Sequence, residues 1–506
     1  MRSRVPMPAI VSLVLALVAP AAAPVALAAG PVLVPQAVQA PDSALGPASG
    51  PAPACTTPAP AVHYTWLHCY TPSEIAAAYD VQALHDANVM GQGQTIVLVD
   101  AYGSPTAAHD LQMFHNAFFP NLRDPNFDQV FPQGNPQYMN TFKGNGLSGP
   151  SAAANWSGEA TLDIEWAYSI APLAHIVLLA VPPAETLGVQ GFPNLFNAIQ
   201  WAIDHYPHGT VFSQSFAVTE PTFGGAGATQ TAKFDAVYKA GNAAGDTFLG
   251  AAGDNGTTGF EKNQKESRTY SYPTVEWPAS SPYVTAVGGT QLQYGWTWDP
   301  TSDVPFTSSG FNPAYFNYTS GGNSQVVWNE SWLPAATGGG PSTIYPTPSW
   351  QSSVSSVIGT NARGVPDVAW NAAVNGGVLV YITAYPNYQR AGWHIYGGTS
   401  AATPQIAGLI ALANQERAAA NKAPLGNVNP DLYALSSSDY WDVVPTIEGT
   451  AASGKLVNNT LWQYNADGSV SPGPVPGYPV ETGWDMTTGF GSPKAAAFVS
   501  GLAAMP

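Results

Sequence analysis

The sequence predicts an α/β protein with a doubly wound, mostly parallel β-sheet covered by helices on both faces. Short apolar runs of roughly four to six residues alternate with segments whose apolar residues recur at helical spacing, which is typical of βαβ units. Runs that are apolar at nearly every position indicate strands buried on both faces of the sheet. The composition can fill a large core, since 45% of the residues are hydrophobic, including 15 Trp, 23 Tyr and 19 Phe.

Each predicted strand is an apolar run bounded by turn-forming residues. Residues 96–99 are Ile-Val-Leu-Val, followed by Asp100 and by Gly103-Ser104-Pro105. The predicted strands are 96–99, 175–180, 211–215, 248–252, 284–287 and 376–383. The predicted helices are 106–118, 159–168, 194–205, 231–244 and 400–415. The last strand and helix are expected in the same layers as the others, and residues 290–360, rich in Gly, Ser, Asn and Trp, are expected to form long surface loops.

Charged residues make up only 9% of the chain, with 15 Lys and Arg against 32 Asp and Glu and a net charge of −17. Binding to nucleic acid or to anionic membranes needs basic residues that neutralise phosphates. We therefore expect neither nucleic acid nor a membrane as a partner. Few charges with an excess of acids suit a protein that works where carboxylates are partly protonated.

Residues 1–29 are predicted to be a secretory signal peptide. The start is basic, residues 9–19 are apolar, and Ala26-Leu27-Ala28 has the small residues of a cleavage site. The alternative, a transmembrane anchor, is disfavoured because Pro20 and Pro24 interrupt the apolar run before it reaches about 20 residues. We therefore expect a secreted (extracellular) protein.

The rest of the chain divides into a linker and one domain. Residues 30–69 are rich in Pro and Ala and are expected to form an extended linker that buries no core. Cys55 and Cys69 are the only cysteines, and a disulfide between them is expected in an exported chain, with a metal or catalytic role as the less favoured alternative. Residues 70–506 are expected to form a single catalytic domain.

Ser400 is the candidate nucleophile. It lies in Gly397-Gly398-Thr399-Ser400-Ala401-Ala402-Thr403-Pro404, at the start of a predicted helix where backbone N–H groups and the helix dipole favour negative charge. Pro404 is expected in the first turn, where its missing N–H costs nothing. The alternative is a serine that only caps the helix.

A nucleophilic serine needs a base, and no histidine of the chain has a suitable context. His208-Gly209-Thr210 follows Pro207 and precedes a predicted strand, so no helix can begin there. Glu159 and Asp163 are instead four residues apart and share one face of a predicted helix. Two neighbouring carboxylates repel, which raises the pKa of one or lets them share a proton. We expect a base tuned for acidic solution; the alternative is two solvated acids near a helix start.

Asp254 is a fourth candidate. It follows the predicted strand 248–252 in Gly253-Asp254-Asn255-Gly256, at the carboxyl end of a strand, where sites of open α/β sheets lie. The alternative is a residue that only stabilises the turn.

These motifs together resemble those of the sedolisins, the serine-carboxyl peptidases, over nearly all of residues 70–506. The blocks that carry the resemblance also include Tyr70-Thr71-Pro72, residues 94–105, residues 277–290 and residues 363–368. The resemblance implies a subtilisin-like fold and a Ser-Glu-Asp triad. Glu159 would accept the proton of Ser400, Asp163 would support Glu159, and a protonated Asp254 would donate a hydrogen bond to the oxyanion.

The resemblance also implies residues that line the substrate cleft: Ser213, Ser215, Phe216, Gly253 and Thr399. Ala217 stands where the family usually has Gly. Phe216 is expected to narrow the first specificity pocket.

A calcium ion (Ca²⁺) is the cofactor that the resemblance implies. Its ligands would be the side chains of Asp442 and Asp485 with backbone carbonyls of Val443, Glu481 and Gly483, a set of oxygen donors that Ca²⁺ prefers. Glu481 stands where the family usually has Gly, which leaves a carbonyl ligand intact. The alternative is a pair of loop aspartates without a metal.

The family usually carries a large N-terminal prodomain, and only about 40 residues lie between the predicted signal peptide and Tyr70. A separate prodomain chain, a branch without a prodomain and an enzyme without latency are all open.

The sequence therefore predicts a secreted, acid-acting serine endopeptidase that acts on proteins or peptides as a monomer. One alternative is a tripeptidyl exopeptidase on the same fold. The other is a catalytically silent secreted binding protein, which the presence of all four catalytic side chains disfavours.

Overall fold

The computed structural model describes residues 32–40, 52, 69–134, 150–261, 269–298, 306–307, 310–311, 316–330, 333–384, 391–444, 458–465 and 470–506. The predicted signal peptide and Cys55 lie outside the described residues, so the signal peptide and the Cys55–Cys69 disulfide stay predictions.

The described helices are α1 Pro72–Ala78, α2 Val81–Asp86, α3 Ala107–Phe118, α4 Pro150–Ile170, α5 Gly188–His205, α6 Gly227–Ala244, α7 Ser355–Ile358, α8 Thr399–Ala419, α9 Asn429–Leu432 and α10 Ala495–Ala504.

The described strands are β1 Val34–Pro35, β2 Val38–Gln39, β3 Cys69–Tyr70, β4 Thr95–Ala101, β5 Asn126–Val130, β6 His175–Val181, β7 Val211–Gln214, β8 Phe216–Thr219, β9 Thr247–Ala251, β10 Glu276–Trp277, β11 Thr285–Trp298, β12 Phe306–Thr307, β13 Gly310–Phe311, β14 Phe316–Val327, β15 Asn329–Glu330, β16 Ala335–Ala336, β17 Gly340–Pro341, β18 Gly364–Val365, β19 Val368–Asn371, β20 Gly377–Ile382, β21 Gly392–Gly397, β22 Tyr440–Trp441, β23 Trp462–Tyr464, β24 Val470–Pro472 and β25 Ser492–Pro493.

The central sheet has eight strands in the order β14-β11-β9-β7-β4-β6-β5, with β19 also pairing with β11. All of these pairs are parallel except β11 with β14. Parallel neighbours need crossover connections, and here α4, α5 and α6 supply several of them. The predicted α/β class with a mostly parallel sheet is confirmed.

The sheet is buried on both faces, and alternate residues of each strand belong to opposite layers. Ile96 and Leu98 of β4 pack in one core with residues of α4 and α8, whereas Val97 and Val99 pack in the other with α5 and α6. This division explains why the strands read as continuous apolar runs. It also places α4 and α8 side by side on one face of the sheet.

The late part of the chain differs from the prediction. Residues 290–360 are not only surface loops, because most of β11 and all of β14 lie there and form a long antiparallel pair at the edge of the central sheet. The predicted last strand, now β20, does not join the central sheet. It lies in a separate four-stranded sheet in the order β2-β21-β20-β3.

The Pro/Ala-rich segment is extended, as predicted, but its described part is packed against the domain. Residues 34–35 pair antiparallel with β8, and residues 38–39 pair antiparallel with β21. Leu33 and Ala40 are each 1% exposed, so the segment contributes to the core. Among the described residues, no helix is both long and apolar enough to cross a bilayer.

Candidate active site

The candidate catalytic residues meet at one edge of the central sheet. Strands β4, β7 and β9 are parallel neighbours, so their carboxyl ends lie together. Helices α4 and α8 pack over the same edge. The residues brought together are Asp100 at the end of β4, Ser215 after β7, Asp254 after β9, Glu159 and Asp163 on α4, and Ser400 at the start of α8.

Ser400 is the second residue of α8, and its side chain is fully buried. Its hydroxyl donates a hydrogen bond to the carbonyl oxygen of Ser215 at 3.2 Å. Pro404 lies in the second turn of α8 rather than the first, so the carbonyl of Ser400 lacks its usual helical N–H donor. The first turn of α8 therefore has one backbone hydrogen bond fewer than the first turn of a regular helix.

Asp100, Glu159 and Asp163 form a cluster of buried carboxyls, each with 0% exposure. Asp163 accepts a hydrogen bond from the Ser215 hydroxyl at 2.9 Å. Among the described residues, the second oxygen of Asp163 and both oxygens of Asp100 and Glu159 have no hydrogen-bond partner. Isolated buried carboxylates are costly, so the cluster must hold protons.

The pKa values in the cluster reflect this environment. Burial raises the pKa of Glu159 well above its usual range, and the nearby carboxyls of Asp163 and Asp100 raise it further, while the Ser400 hydroxyl lowers it. Burial also raises the pKa of Asp163, again with a contribution from Asp100. Burial raises the pKa of Asp100 to about 8. Three such neighbours cannot all ionise, and the hydroxyls of Ser400 and Ser215 lower the pKa values of Glu159 and Asp163 respectively.

Asp254 faces the same site from the other side. Its Oδ1 accepts hydrogen bonds from the Thr399 N–H at 2.7 Å and from the Thr399 hydroxyl at 2.8 Å. Burial raises the pKa of Asp254 to about 7, although both bonds from Thr399 lower it. Because Oδ1 already accepts two hydrogen bonds, a proton on this carboxyl belongs on Oδ2, where it can be donated.

Residues 32–40 cross the cleft as an extended strand, with Gln36 at Ser400. The Ser400 N–H donates to the Gln36 carbonyl at 3.1 Å, and the Gln36 N–H donates to the Ser215 carbonyl at 3.0 Å. Gly398 has a φ of 93°, and a Cβ there would lie 2.3 Å from the Gln36 carbonyl oxygen and 2.7 Å from Asp254 Oδ2. Only glycine fits, and the two oxygens border the same small space.

The residues predicted to bind substrate divide into two groups. Ser215, Gly253 and Thr399 lie at the site, since Ser215 bonds Gln36 and the Gly253 N–H donates to the Thr399 hydroxyl at 3.1 Å. Ser213 lies inside β7, fully buried in the sheet. Phe216 packs with Leu33 in the core on the other face, and it is not among the described residues that line the pocket beside Gln36.

The pocket beside Gln36 contains a residue that the sequence analysis did not single out. Its lining includes Ala217, Thr219 and Glu276. Glu276 is 6% exposed, and burial raises its pKa to about 8. The pocket therefore presents a neutral carboxyl in acid.

Each aspartate predicted to bind calcium accepts a hydrogen bond from a residue predicted to supply a carbonyl ligand. Asp442 Oδ2 accepts a hydrogen bond from the Gly483 N–H at 2.8 Å, and Asp485 Oδ2 accepts one from the Glu481 N–H at 3.0 Å. Both carboxylates are thus bonded to the turn that contains Glu481 and Gly483. Val443, the residue after Asp442, is buried. In the described part of the chain, no group of three or more His, Cys, Asp or Glu side chains could hold a metal. Asp485 Oδ1 also accepts hydrogen bonds from the N–H groups of Thr487 and Thr488, so the calcium site stays a prediction.

A serine at a helix start that faces buried carboxyls on a doubly wound sheet defines a serine-carboxyl arrangement. The subtilase family model matches residues 170–435. Kumamolisin from Bacillus sp. (strain MN-32) is 29% identical over 443 residues, which cover 86% of this chain and 63% of kumamolisin. Sedolisin from Pseudomonas sp. (strain 101) is 35% identical over 265 residues, which cover 51% of this chain and 35% of that protein.

Two further comparisons extend these. Human tripeptidyl-peptidase 1 is 29% identical over 273 residues, which cover 51% of this chain and 38% of that protein. The structure of Pseudomonas sedolisin, a serine-carboxyl proteinase complexed with two molecules of pseudo-iodotyrostatin, covers 87% of this chain and 98% of that chain with a TM-score of 0.58 and 26% identity. The chain belongs to the subtilase family, and within it to the sedolisins, the serine-carboxyl peptidases. It spans less than two thirds of the length of the curated relatives it matches.

Asp100 and the strand through the cleft were not assigned to the site from the sequence. Asp100 carried a visible signal, because it is an acid at the carboxyl end of a fully apolar strand. Residues 32–40 carried none, since Pro and Ala indicate a linker and nothing in the composition shows what a linker contacts.

The buried carboxyls predict that the protein is most stable in acid. Their folded-state pKa values lie above the ordinary value of about 4, so the folded protein binds more protons than the unfolded one between about pH 4 and pH 8. Stability must then fall as the pH rises through this window. Urea unfolding of the Ser400→Ala variant, chosen to prevent self-digestion, should show a free energy of unfolding that decreases steadily from about pH 4 to about pH 8.

The matched comparison is Ser400→Ala combined with Asp100→Asn. An amide cannot ionise, so this variant should lose less stability over the same window. A free energy of unfolding that rises with pH, or an unchanged slope in the Asn variant, would contradict the prediction.

Proposed function

We propose that the protein is an acid-acting serine endopeptidase that hydrolyses protein or peptide substrates through an acyl-enzyme. The observation that carries the proposal is the peptide carbonyl of Gln36, which accepts a hydrogen bond from the Ser400 N–H at 3.1 Å. A substrate carbonyl held in this way would have its carbon presented to the nucleophile and its oxygen presented to donors. A silent binding protein is disfavoured, because all four catalytic side chains are present and buried together.

The chemistry begins with Ser400 Oγ attacking the substrate carbonyl while Glu159 accepts its proton. In this structure the Ser400 hydroxyl donates to Ser215, so attack requires a rotation of that hydroxyl toward Glu159. Asp163, fixed by the Ser215 hydroxyl, supports Glu159 electrostatically, because its nearby carboxyl raises the pKa of Glu159 and makes it a stronger base. Glu159 then protonates the leaving amine, and water hydrolyses the acyl-enzyme with Glu159 again as base.

The oxyanion would be bound by the Ser400 N–H and by protonated Asp254 through Oδ2. A neutral carboxylic acid can donate a hydrogen bond, whereas a carboxylate beside an oxyanion repels it. Since the pKa of Asp254 is raised to about 7, this donor is present in acid and is lost as the pH rises through neutrality. The acid dependence of the proposed activity follows from this one group.

The path of residues 32–40 supports endopeptidase rather than tripeptidyl-peptidase action. Gln36 lies just before the peptide bond at Ser400. A tripeptide released by cleavage of that bond would therefore begin at Val34 and end at Gln36. The chain continues beyond Val34, with a hydrogen bond from the Leu33 N–H to Thr186 at 3.0 Å and a bridge between Val32 and Leu187. The cleft therefore has room for chain on both sides of the reacting bond.

We also propose that the protein is secreted and acts as a monomer. Secretion rests on the signal-like first 29 residues. The monomer is supported by the surface, because Tyr272 and Val444 are the large hydrophobic side chains exposed among the described residues. Calcium is proposed as a structural cofactor that Asp442, Asp485 and the carbonyls of Val443, Glu481 and Gly483 would hold, stabilising the C-terminal turns without contacting substrate.

Asp254→Asn should move the alkaline limit of activity upward. The Asn side-chain oxygen can still accept both bonds from Thr399, which leaves the amide N–H₂ at the position of Oδ2 as a donor at every pH. The pH profile of kcat/KM on an unstructured peptide should keep activity within roughly tenfold of wild type in acid and extend above about pH 7.

Two controls frame this measurement. Asp254→Ala removes the donor and should lower kcat by about 10²–10³-fold at all pH values, and Ser400→Ala should show no acyl-enzyme turnover. An Asn variant with the wild-type alkaline limit would show that Asp254 is not the group that sets it.

Removal of calcium should destabilise the protein. A ligand that binds only the folded state adds about 3 kcal/mol at a hundredfold excess over its Kd. EDTA should therefore lower the Tm of the Ser400→Ala variant, and added Ca²⁺ should restore it. In a variant that also carries Asp442→Asn, the response to EDTA should be much smaller. An identical Tm with and without EDTA in the parent would exclude the site.

A further inference from the structure

A second cleft lies next to the turn that carries Asp254. Its volume is about 580 Å³, which is typical of a ligand pocket. None of the described residues that line it is charged. Its apolar walls include Phe260, Leu333, Pro334, Leu461, Trp462 and Val475.

Segments from distant parts of the chain build this cleft. Trp462 belongs to the hairpin formed by β23 and β24, where it pairs with Pro472. Phe260 comes from the loop after β9 and forms an antiparallel bridge with Thr269. Both walls are thus held by backbone pairing, so the cleft is a formed part of the fold.

The turn after β9 is a wall that this cleft shares with the active site. Asn255 lines the cleft, and it directly follows Asp254, the proposed oxyanion donor. Gly256 has a φ of 61°, and a Cβ there would lie 2.2 Å from the Asn459 carbonyl oxygen. The turn therefore packs directly against the backbone that leads into β23.

The cleft is continuous with the pocket that holds Gln36, since Asn255 and Phe260 line both. The strand formed by residues 32–40 remains in the first pocket, where about 20 Å³ of space is left. None of the residues of this strand lines the second cleft. A polypeptide that follows the path of the strand therefore leaves the cleft available to another part of the same molecule.

Two side chains of the cleft have hydrogen-bond donors that the protein does not use. The side-chain amide of Asn255 and the indole N–H of Trp462 have no partner in the part of the chain that the structure describes. Peptide carbonyls can accept from such donors, and apolar side chains can pack on the aromatic rings. A peptide offers both features, whereas a hydrocarbon chain would leave the donors unbonded.

We propose that this cleft is an exosite for the substrate polypeptide: it binds an uncharged segment with aromatic and aliphatic side chains while another stretch of the same chain lies at Ser400. The proposal rests on the peptidase function proposed above. A substrate that is bound at both places has a higher effective concentration at each. Because the cleft contacts none of the reacting atoms, the exosite should lower KM for long unfolded substrates and leave kcat unchanged.

Two peptides with the same cleavable stretch test the exosite in the full chain at about pH 4. The first continues on its amino side through a Gly/Ser linker of about ten residues into a segment of Phe and Leu. The second has Ser in place of every Phe and Leu. The extension is on the amino side because the pocket that adjoins the cleft is lined by Val32 and Val34. The first peptide should have a KM about tenfold lower than the second.

Variants at Trp462 connect this difference to the cleft. Trp462→Ala should bring the ratio of the two KM values close to one, and Trp462→Phe, which keeps a ring, should retain most of the difference. The ratio cancels any effect of a variant on the reacting bond. Trp201→Ala is the matched control, because Trp201 is also half-buried but lies on α5, where it stacks on His205. It should keep the wild-type ratio.

A competition measurement needs no variant. The Phe/Leu segment alone, added to the wild type, should raise the KM of the first peptide and leave that of the second unchanged. Inhibition of the second peptide would place the segment at the reacting bond and overturn the exosite.

The other outcomes separate the two proposals. Equal KM values for the two peptides in the wild type would overturn this inference alone, as would a difference that persists in Trp462→Ala. A wild-type dimer that Trp462→Ala dissociates would assign the cleft to a second copy of the chain and overturn it too. A protein that cleaves neither peptide would overturn the proposed function as well.

Discussion

Mutual repulsion among carboxyls that are held out of water is the constraint on which the site depends. Asp100, Glu159 and Asp163 have no exposed surface, and most of their oxygens lack hydrogen-bond partners among the described residues. They are kept there by packing, because α4 lies on the sheet beside α8 and its other residues fill the core. Packing of the sheet and helices thus keeps these carboxyls buried. Because burial disfavours the ionised form, they stay protonated at pH values where exposed acids are ionised.

The same packing determines which residues lie next to Ser400. Helix α8 brings its first residues against the ends of β7 and β9, so Ser215 and Asp254 lie on either side of the start of this helix. Ser215 bonds to both parts of the site. Its hydroxyl donates a hydrogen bond to Asp163, and its carbonyl accepts hydrogen bonds from the Ser400 hydroxyl and the Gln36 N–H. Glycine at position 398 allows Asp254 and the incoming carbonyl to approach. A single charged histidine is not needed, because the proton is held among carboxyls instead.

Much of this was visible in the sequence, and the reasons for the exceptions are physical. The apolar strands, the helix that pairs Glu159 with Asp163 and the small-residue motif at Ser400 are local patterns, so they could be predicted. The pairing of β11 with β14 and the docking of residues 32–40 are contacts between distant segments, which no local pattern encodes. The family resemblance predicts that Phe216 narrows the specificity pocket, but alternation along the strand turns its side chain into the core.

The most direct test of the account is to observe the protons themselves. Infrared difference spectra of the Ser400→Ala variant, recorded as the pH is raised from about 5 to about 9, report the carbonyl stretch of protonated carboxyls. We expect protonated carboxyl bands to persist at about pH 6, where ordinary acids are ionised, and one of them to be missing when Asp254 is also replaced by Asn. A spectrum in which all carboxyls have ionised by about pH 5 would contradict the central claim that this fold holds protons on Asp254 and within the cluster of buried carboxyls.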